Sequence, residues 1–234
     1  MPELPAPLPP ERRTVGQLIA ESIRFYGAHF WRVLPLGIPL TVADQLSVHE
    51  PIGTQMALFW ALTPLFVAGY IWACRMVLDA RPTAVAAAVA VLVWLPFPAL
   101  RSIYVLPAIA WLAFMGLAVP AAMKERLGFR DALVRGRQLG VADYVHALGS
   151  LAALVVVVGV ADLFLSALLH TQSGATERLA LGLSDVVLSP LLFVGGALLY
   201  VDQAARPLRS HHHADLHPPV DADRARRKNP QVEP

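Results

Sequence analysis

Residues 144–169 read YVHALGSLAALVVVVGVADLFLSALL, a run in which Asp162 is the one acidic residue and no Lys or Arg occurs. About 20 predominantly apolar residues let a helix cross a ~30 Å hydrocarbon layer, so the run reads as a membrane-spanning helix and sets the class of the whole chain. The composition agrees: 56% of the 234 residues are hydrophobic and 15% charged, with a mean hydropathy of +0.53. A soluble domain carries about 25% charged residues. The surplus apolar surface requires lipid. The net charge of +2 excludes little by itself, because the information lies in where the charges fall.

Upstream of this run, Lys124 to Asp143 is long for a membrane connector and has a helical pattern of its own. Leu127, Ala132, Leu133, Gly136 and Leu139 share one side, while Arg126, Arg130, Arg135 and Arg137 supply a basic surface, as in helices that lie at a membrane interface. Downstream, a turn leads to a second apolar run, Leu179 to Val201. Four further runs precede the basic connector: Phe30 to Val48, interrupted by Pro35 and Pro39; Gln55 to Arg75; Thr83 to Ala99, ended by Pro96 and Pro98; and Ser102 to Met123. The expectation is an all-α polytopic membrane bundle of about six transmembrane helices plus two amphipathic interfacial helices.

The other amphipathic helix begins at Val15. Val15, Leu18, Ile19, Ser22, Ile23 and Tyr26 recur at spacings of three and four, and the helix ends in the aromatic group Phe25, Tyr26, Phe30 and Trp31. Aromatic rings and snorkelling arginines suit the headgroup boundary. Ahead of it, residues 1–14 contain five prolines and no apolar core segment, which reads as a disordered cytoplasmic tail rather than a signal peptide. The membrane domain is expected over 15–206 and a disordered basic cytoplasmic tail over 207–234.

With both termini placed in the cytoplasm, 17 of the 19 Lys and Arg residues fall on that side and only Arg101 and Arg178 fall outside. That asymmetry predicts a multi-pass protein of a cytoplasmic membrane with cytoplasmic N- and C-termini. The third and fourth runs are the weakest part of the threading, since they can also form a re-entrant pair around Arg101. The basic interfacial residues Arg24, Arg32, Lys124, Arg126, Arg130, Arg135 and Arg137 are candidate contacts for anionic lipid headgroups.

Motifs for soluble-type catalysis are lacking: no phosphate loop, no zinc-protease helix and no nucleophile elbow occurs. The expectation is a non-enzyme without cofactor or nucleic-acid partner. Cys74, the single cysteine, excludes an intrachain disulfide and reads as a packing residue. His211, His212, His213 and His217 form a His-rich patch in the tail, read as solvated rather than metal-binding.

Acidic groups inside the apolar runs are the better candidates, because charge in hydrocarbon is costly and is kept where a partner or water satisfies it. Asp162 and Asp185 are equally far from the midpoint of the last hairpin, so antiparallel helices place them at similar depth, roughly 10 Å below the outer surface at 1.5 Å per residue. Asp44 can join them, with Arg101 or Arg178 as counter-charge. Two readings stay open: an outward-facing acidic pocket, or carboxylates that cap and pair locally near water. Asp202 has a simpler reading, an ion pair with Arg206 four residues on. Gly69, Gly149, Gly159, Gly195 and Gly196 suit close helix packing, and Pro64 and Pro190 are expected to kink their helices.

A family resemblance rests on VGQLIAESIRFYGAHFWRVLPL near the start, VPAAMKERLGFRDALVRGRQLG before Tyr144, and the closing LLYVDQAAR. The stretch Glu125, Leu127, Gly128, Ala132, Leu133 and Arg135, with Leu199, Tyr200, Asp202 and Arg206, resembles bacterial proteins related to the glycerophosphoryl diester phosphodiesterase membrane domain. The sequence departs from that pattern at Gly136 and at Gln203 to Ala205. The two amphipathic helices, with the endings Ala80, Arg81, Pro82 and Ala205, Arg206, Pro207, also hint at a duplicated unit. The resemblance implies a six-helix bacterial membrane domain without the enzyme. Two functions remain: a membrane scaffold or accessory protein with lipid-contacting helices and a protein partner, or a small transporter or permease using the acidic site.

Overall fold

A computed structural model describes residues 13–171 and 173–206, all helix and connecting turns. The tail readings for 1–12 and 207–234, and the His211 to His217 patch, lie outside the described residues. Chain order runs α1 (Val15–Ala28), α2 (Phe30–Val33), a 3-10 turn (Leu34–Gly37), α3 (Ile38–Ser47), α4 (Ile52–Leu78), α5 (Ala84–Trp94), α6 (Phe97–Ile103), α7 (Val105–Met115), α8 (Ala118–Lys124), α9 (Phe129–Ala142), α10 (Tyr144–Leu169), α11 (Gly174–Leu188) and α12 (Pro190–Ala205).

Among the described residues, five helical stretches are long and apolar enough to cross a membrane: Ile52–Leu78, Ala84–Ile103, Val105–Lys124, Tyr144–Leu169 and Gly174–Ala205. The third and fourth expected runs therefore both have spanning length. The run from Phe30 differs. Its two prolines split it into α2, the 3-10 turn and the ten-residue α3, because each proline lacks the N–H that would continue the helix. Outward-facing residues such as Val145, Leu163, Phe164 and Leu179 are more than two-thirds exposed, a large apolar surface that only lipid or another apolar partner can cover.

Proline also divides two of the spans. Ser189 separates α11 from α12, with Pro190 opening the second piece, as expected for a proline within a span. Pro64, in contrast, lies inside an unbroken α4. Where α5 stops before Pro96, freed carbonyls receive tryptophan donors: Trp111 Nε1 donates to the Val93 oxygen at 2.7 Å and Trp60 Nε1 to the Leu95 oxygen at 3.1 Å. Tyr70 Oη serves the Gly116 oxygen between α7 and α8 in the same way, at 3.1 Å. Orphan carbonyls at helix ends need such partners in a medium without water.

Thr14 starts α1 through a capping box, its hydroxyl accepting from the Gln17 N–H and its own N–H donating to Gln17 Oε1. Leu18, Ser22 and Tyr26 are then buried against α10 and α12, while Ile23 is turned outward, half exposed. α9 buries Ala132, Gly136, Leu139 and Gly140 against α5, α7 and α8. The apolar sides of both amphipathic helices are thus spent largely on protein. At Gly136 α9 makes a close approach: a Cβ built there would stand 2.5 Å from the backbone and side chain of Ala118. Gly195 approaches Leu154 as closely, whereas Gly149 and Gly159 have open space or ordinary contact beside them.

The end of α4 carries a smaller strain. Asp79 caps it with φ 48° and ψ 43°, a left-handed conformation that costs a residue with a Cβ roughly 1 kcal/mol. Asp79→Gly is expected to stabilise the protein by up to about 1 kcal/mol, seen as a small rise in the thermal midpoint of detergent-solubilised protein.

Candidate functional site

Asp44 on α3, Asp162 on α10 and Asp185 on α11 line one cavity of about 290 Å³, together with Arg101 on α6. The hairpin argument for equal depth holds: Ser184, next to Asp185, donates its hydroxyl to Asp162 Oδ1 at 2.7 Å. Of the two arginines considered as counter-charge, the fold uses Arg101, whose Nη2 lies 2.8 Å from Asp44 Oδ1. Its guanidinium carbon also stands 4.1 Å from the centre of the Phe59 ring, a cation–π contact that helps hold it. Arg178 meets α3 differently, its main-chain oxygen accepting from Gln45 Nε2 at 3.1 Å.

Asp185 is 7% exposed. It lines the cavity beside Asp162 and Asp44, while Arg101 is engaged with Asp44. The acidic end thus holds three carboxylates and one guanidinium. Among the described residues no group of three or more His, Cys, Asp or Glu side chains is arranged to hold a metal ion.

Away from this end the walls are apolar. Leu151, Val155, Val158 and Gly159 line the cavity on the same face of α10 as Asp162, at helical spacing. Eleven residues from Leu151 to Asp162 correspond to a length of roughly 16 Å. The opposite wall is aromatic. Trp94 packs on Phe66, Phe97 and Phe193 with ring centroids 5.3, 5.0 and 6.1 Å away, and these rings line the cavity too. Trp94 is nearly buried and its indole N–H has no hydrogen-bond partner, a donor left in the wall. Sequence reasoning missed this aromatic wall and Ser184. The clustering of Trp94 and Phe97 about Pro96 is the available signal.

The far end of the bundle carries another polar group. Asp202, fully buried, pairs with Arg13 at 3.1 Å, which corrects the expected pairing with Arg206. Arg206 instead binds Asp143, the N-cap of α10, and donates to the Arg13 carbonyl oxygen at 3.1 Å. A helix lets residues four apart meet, but here each side chain finds a better-placed partner on a neighbouring element. Gln203 Nε2 donates to the Asp143 oxygen at 3.1 Å. α1, α10 and α12 are thereby tied at one point.

The candidate lipid contacts divide into two groups. Arg32, Arg126, Arg130 and Arg137 are exposed, and Arg24 is exposed beside Glu21 at 3.1 Å. Lys124 donates to the Leu78 oxygen at 3.2 Å, and Arg135 is held by Glu125 at 3.1 Å, which also accepts from Tyr200 at 2.9 Å. The last two side chains thus also tie α8 and α9 to α4 and α12. Cys74 is buried and free. No family model, curated protein or solved structure matches the chain.

Proposed function

We propose that this membrane protein binds an amphiphilic organic cation in the cavity and carries it between the membrane and its surface, the transporter reading of the acidic site. The observation that carries the proposal is the joining, in one cavity, of a long apolar and aromatic wall to an end where three carboxylates face a single arginine. An apolar body gains from leaving water against such walls. A cationic head meets both the excess carboxylates and aromatic faces. The charge asymmetry along the sequence supports both termini on the cytoplasmic side, and hence an outward-facing acidic end, and the family resemblance supports a bacterial cytoplasmic membrane. The resemblance to the glycerophosphoryl diester phosphodiesterase membrane domain is compatible with such a role.

A second reading, a scaffold contacting anionic lipid, is favoured by the exposed Arg126, Arg130 and Arg137 near and on α9; it requires no occupant of the cavity. The two readings are separated by binding measurements on protein in nanodiscs, with empty nanodiscs subtracted. Dodecyltrimethylammonium is expected to bind at least about tenfold more tightly than dodecyl sulfate, and Asp162→Asn or Asp185→Asn to weaken it by about tenfold or more, the equivalent of roughly 1.4 kcal/mol. Equal affinity for the two surfactants, unchanged in both variants, would overturn the proposal.

A further inference from the structure

We propose that the cavity measures its ligand by length: it takes a cationic head carried on a straight alkyl chain of about twelve carbons, and Tyr70 closes the end that stops a longer one. The inference rests on the amphiphilic-cation reading and adds which members of that class fit.

The acidic end is the mouth. Asp44, Arg101 and Asp162 are only partly buried there, and Val105, four residues after Arg101, is exposed. The opposite end is blind. Tyr70, Gly116, Leu117, Gly196 and Leu199 line it, and all five are buried. Tyr70 holds this end together: its hydroxyl donates to the Gly116 oxygen at 3.1 Å, and a Cβ built on Gly196 would stand 3.3 Å from its Cε2. α4, α7 and α12 therefore meet around one ring. The Gly116 oxygen depends on that hydroxyl, because Pro120, four residues on, has no N–H to offer it. Swinging Tyr70 aside would leave a carbonyl unpaired where no water replaces the donor, so the floor resists displacement.

Three helices set the same distance between mouth and floor. On α4, Phe59 carries the Arg101 guanidinium over its ring, and Tyr70 lies eleven residues further on. On α7 the wall runs from Val105 to Gly116, and on α10 from Asp162 back to Leu151, again eleven residues each. α4 and α10 are unbroken across these stretches, and α7 keeps helical geometry through Gly116. At 1.5 Å per residue each stretch gives roughly 16 Å. A saturated chain with bonds of about 1.5 Å advances about 1.25 Å per carbon. With van der Waals clearance at the floor, about twelve carbons then fit between the head and Tyr70. Further carbons must fold back on the chain or leave the apolar walls, and each methylene left out forfeits up to about fourfold in affinity.

The test is binding of decyl-, dodecyl- and hexadecyltrimethylammonium, which share one head, to the full chain in nanodiscs. Affinity is referred to the mole fraction of each compound in the nanodisc lipid, which cancels the general preference of longer chains for apolar surroundings. On that scale decyl and dodecyl chains are expected to bind within about threefold of each other, and the hexadecyl chain at least about tenfold more weakly. Tyr70→Ala or Leu199→Ala deepens the blind end, and in either the hexadecyl compound should regain about fivefold or more relative to dodecyl. A hexadecyl compound that binds the unaltered chain as well as dodecyl does would overturn the length limit and leave the cation reading standing. A penalty that persists undiminished in both folded variants would overturn the placing of the floor at Tyr70. Absence of binding by every member of the series would overturn both the limit and the cation reading. The series on the unaltered chain decides the length limit even if neither variant folds.

Discussion

Gly136→Ala is expected to destabilise the protein by about 1–3 kcal/mol, although it adds one methyl group to a helix. In an isolated helix the same change is favourable by up to about 1 kcal/mol. Here the new Cβ would stand 2.5 Å from the Ala118 nitrogen, Cα and Cβ, and backbone cannot give way as a flexible side chain can. α9 must move off α8, which forces strain of the size seen for overpacked cores. The control is Gly159→Ala on α10, where nothing lies within 4 Å and the helical gain should appear undiminished. Thermal or denaturant unfolding of the two variants in the same detergent checks the contrast. Equal stabilities would show that α9 does not dock as closely as described.

Arg13→Ala is expected to cost about 3 kcal/mol and to loosen α1 from the bundle. Removing one partner of a buried ion pair strands the other charge, a loss of roughly 3–5 kcal/mol when no substitute is found. Asp202 is fully buried, and Arg206, the nearest alternative, is committed to Asp143. The double variant Arg13→Leu with Asp202→Leu should be markedly milder, because it removes both charges and keeps the volume. Proteolysis sites within Val15–Ala28 should open in Arg13→Ala and stay protected in the double variant. A single variant no worse than the double one would remove Asp202 from the forces holding α1.

How much of this was readable beforehand follows from what each signal depends on. The limits of α10 coincide with the expected Tyr144 to Leu169, because an unbroken apolar run between Asp143 and His170 leaves little choice. The common depth of Asp162 and Asp185 was also legible, since a hairpin fixes it by counting. The preference of Asp44 for Arg101 over Arg178, and of Asp202 for Arg13 over Arg206, was not. Those choices depend on how elements far apart in the chain are packed, and local spacing holds no record of that. α9 shows a further ambiguity: an apolar stripe looks the same whether lipid or protein covers it. The small residues Gly136 and Gly140 distinguish the cases, since lipid tails do not require an absent side chain.

One crossing in the bundle has a mechanical consequence. The apolar run that begins at Phe30 loses its regular helix at Leu34–Gly37 and the last span at Ser189, and these interruptions meet: Ser189 Oγ donates to the Gly37 oxygen at 3.4 Å. A Cβ on Gly37 would stand 2.2 Å from the Val186 oxygen, so the two backbones touch there. Beyond the crossing, α3 and α11 run side by side, one bearing Asp44 and the other Asp185. Because both helices leave the same crossing and α11 is also tied to α10 through Ser184 and Asp162, the spacing of Asp44 and Asp185 is set by two backbones in contact, and a side chain added at Gly37 would reach the acidic end of the cavity by parting them.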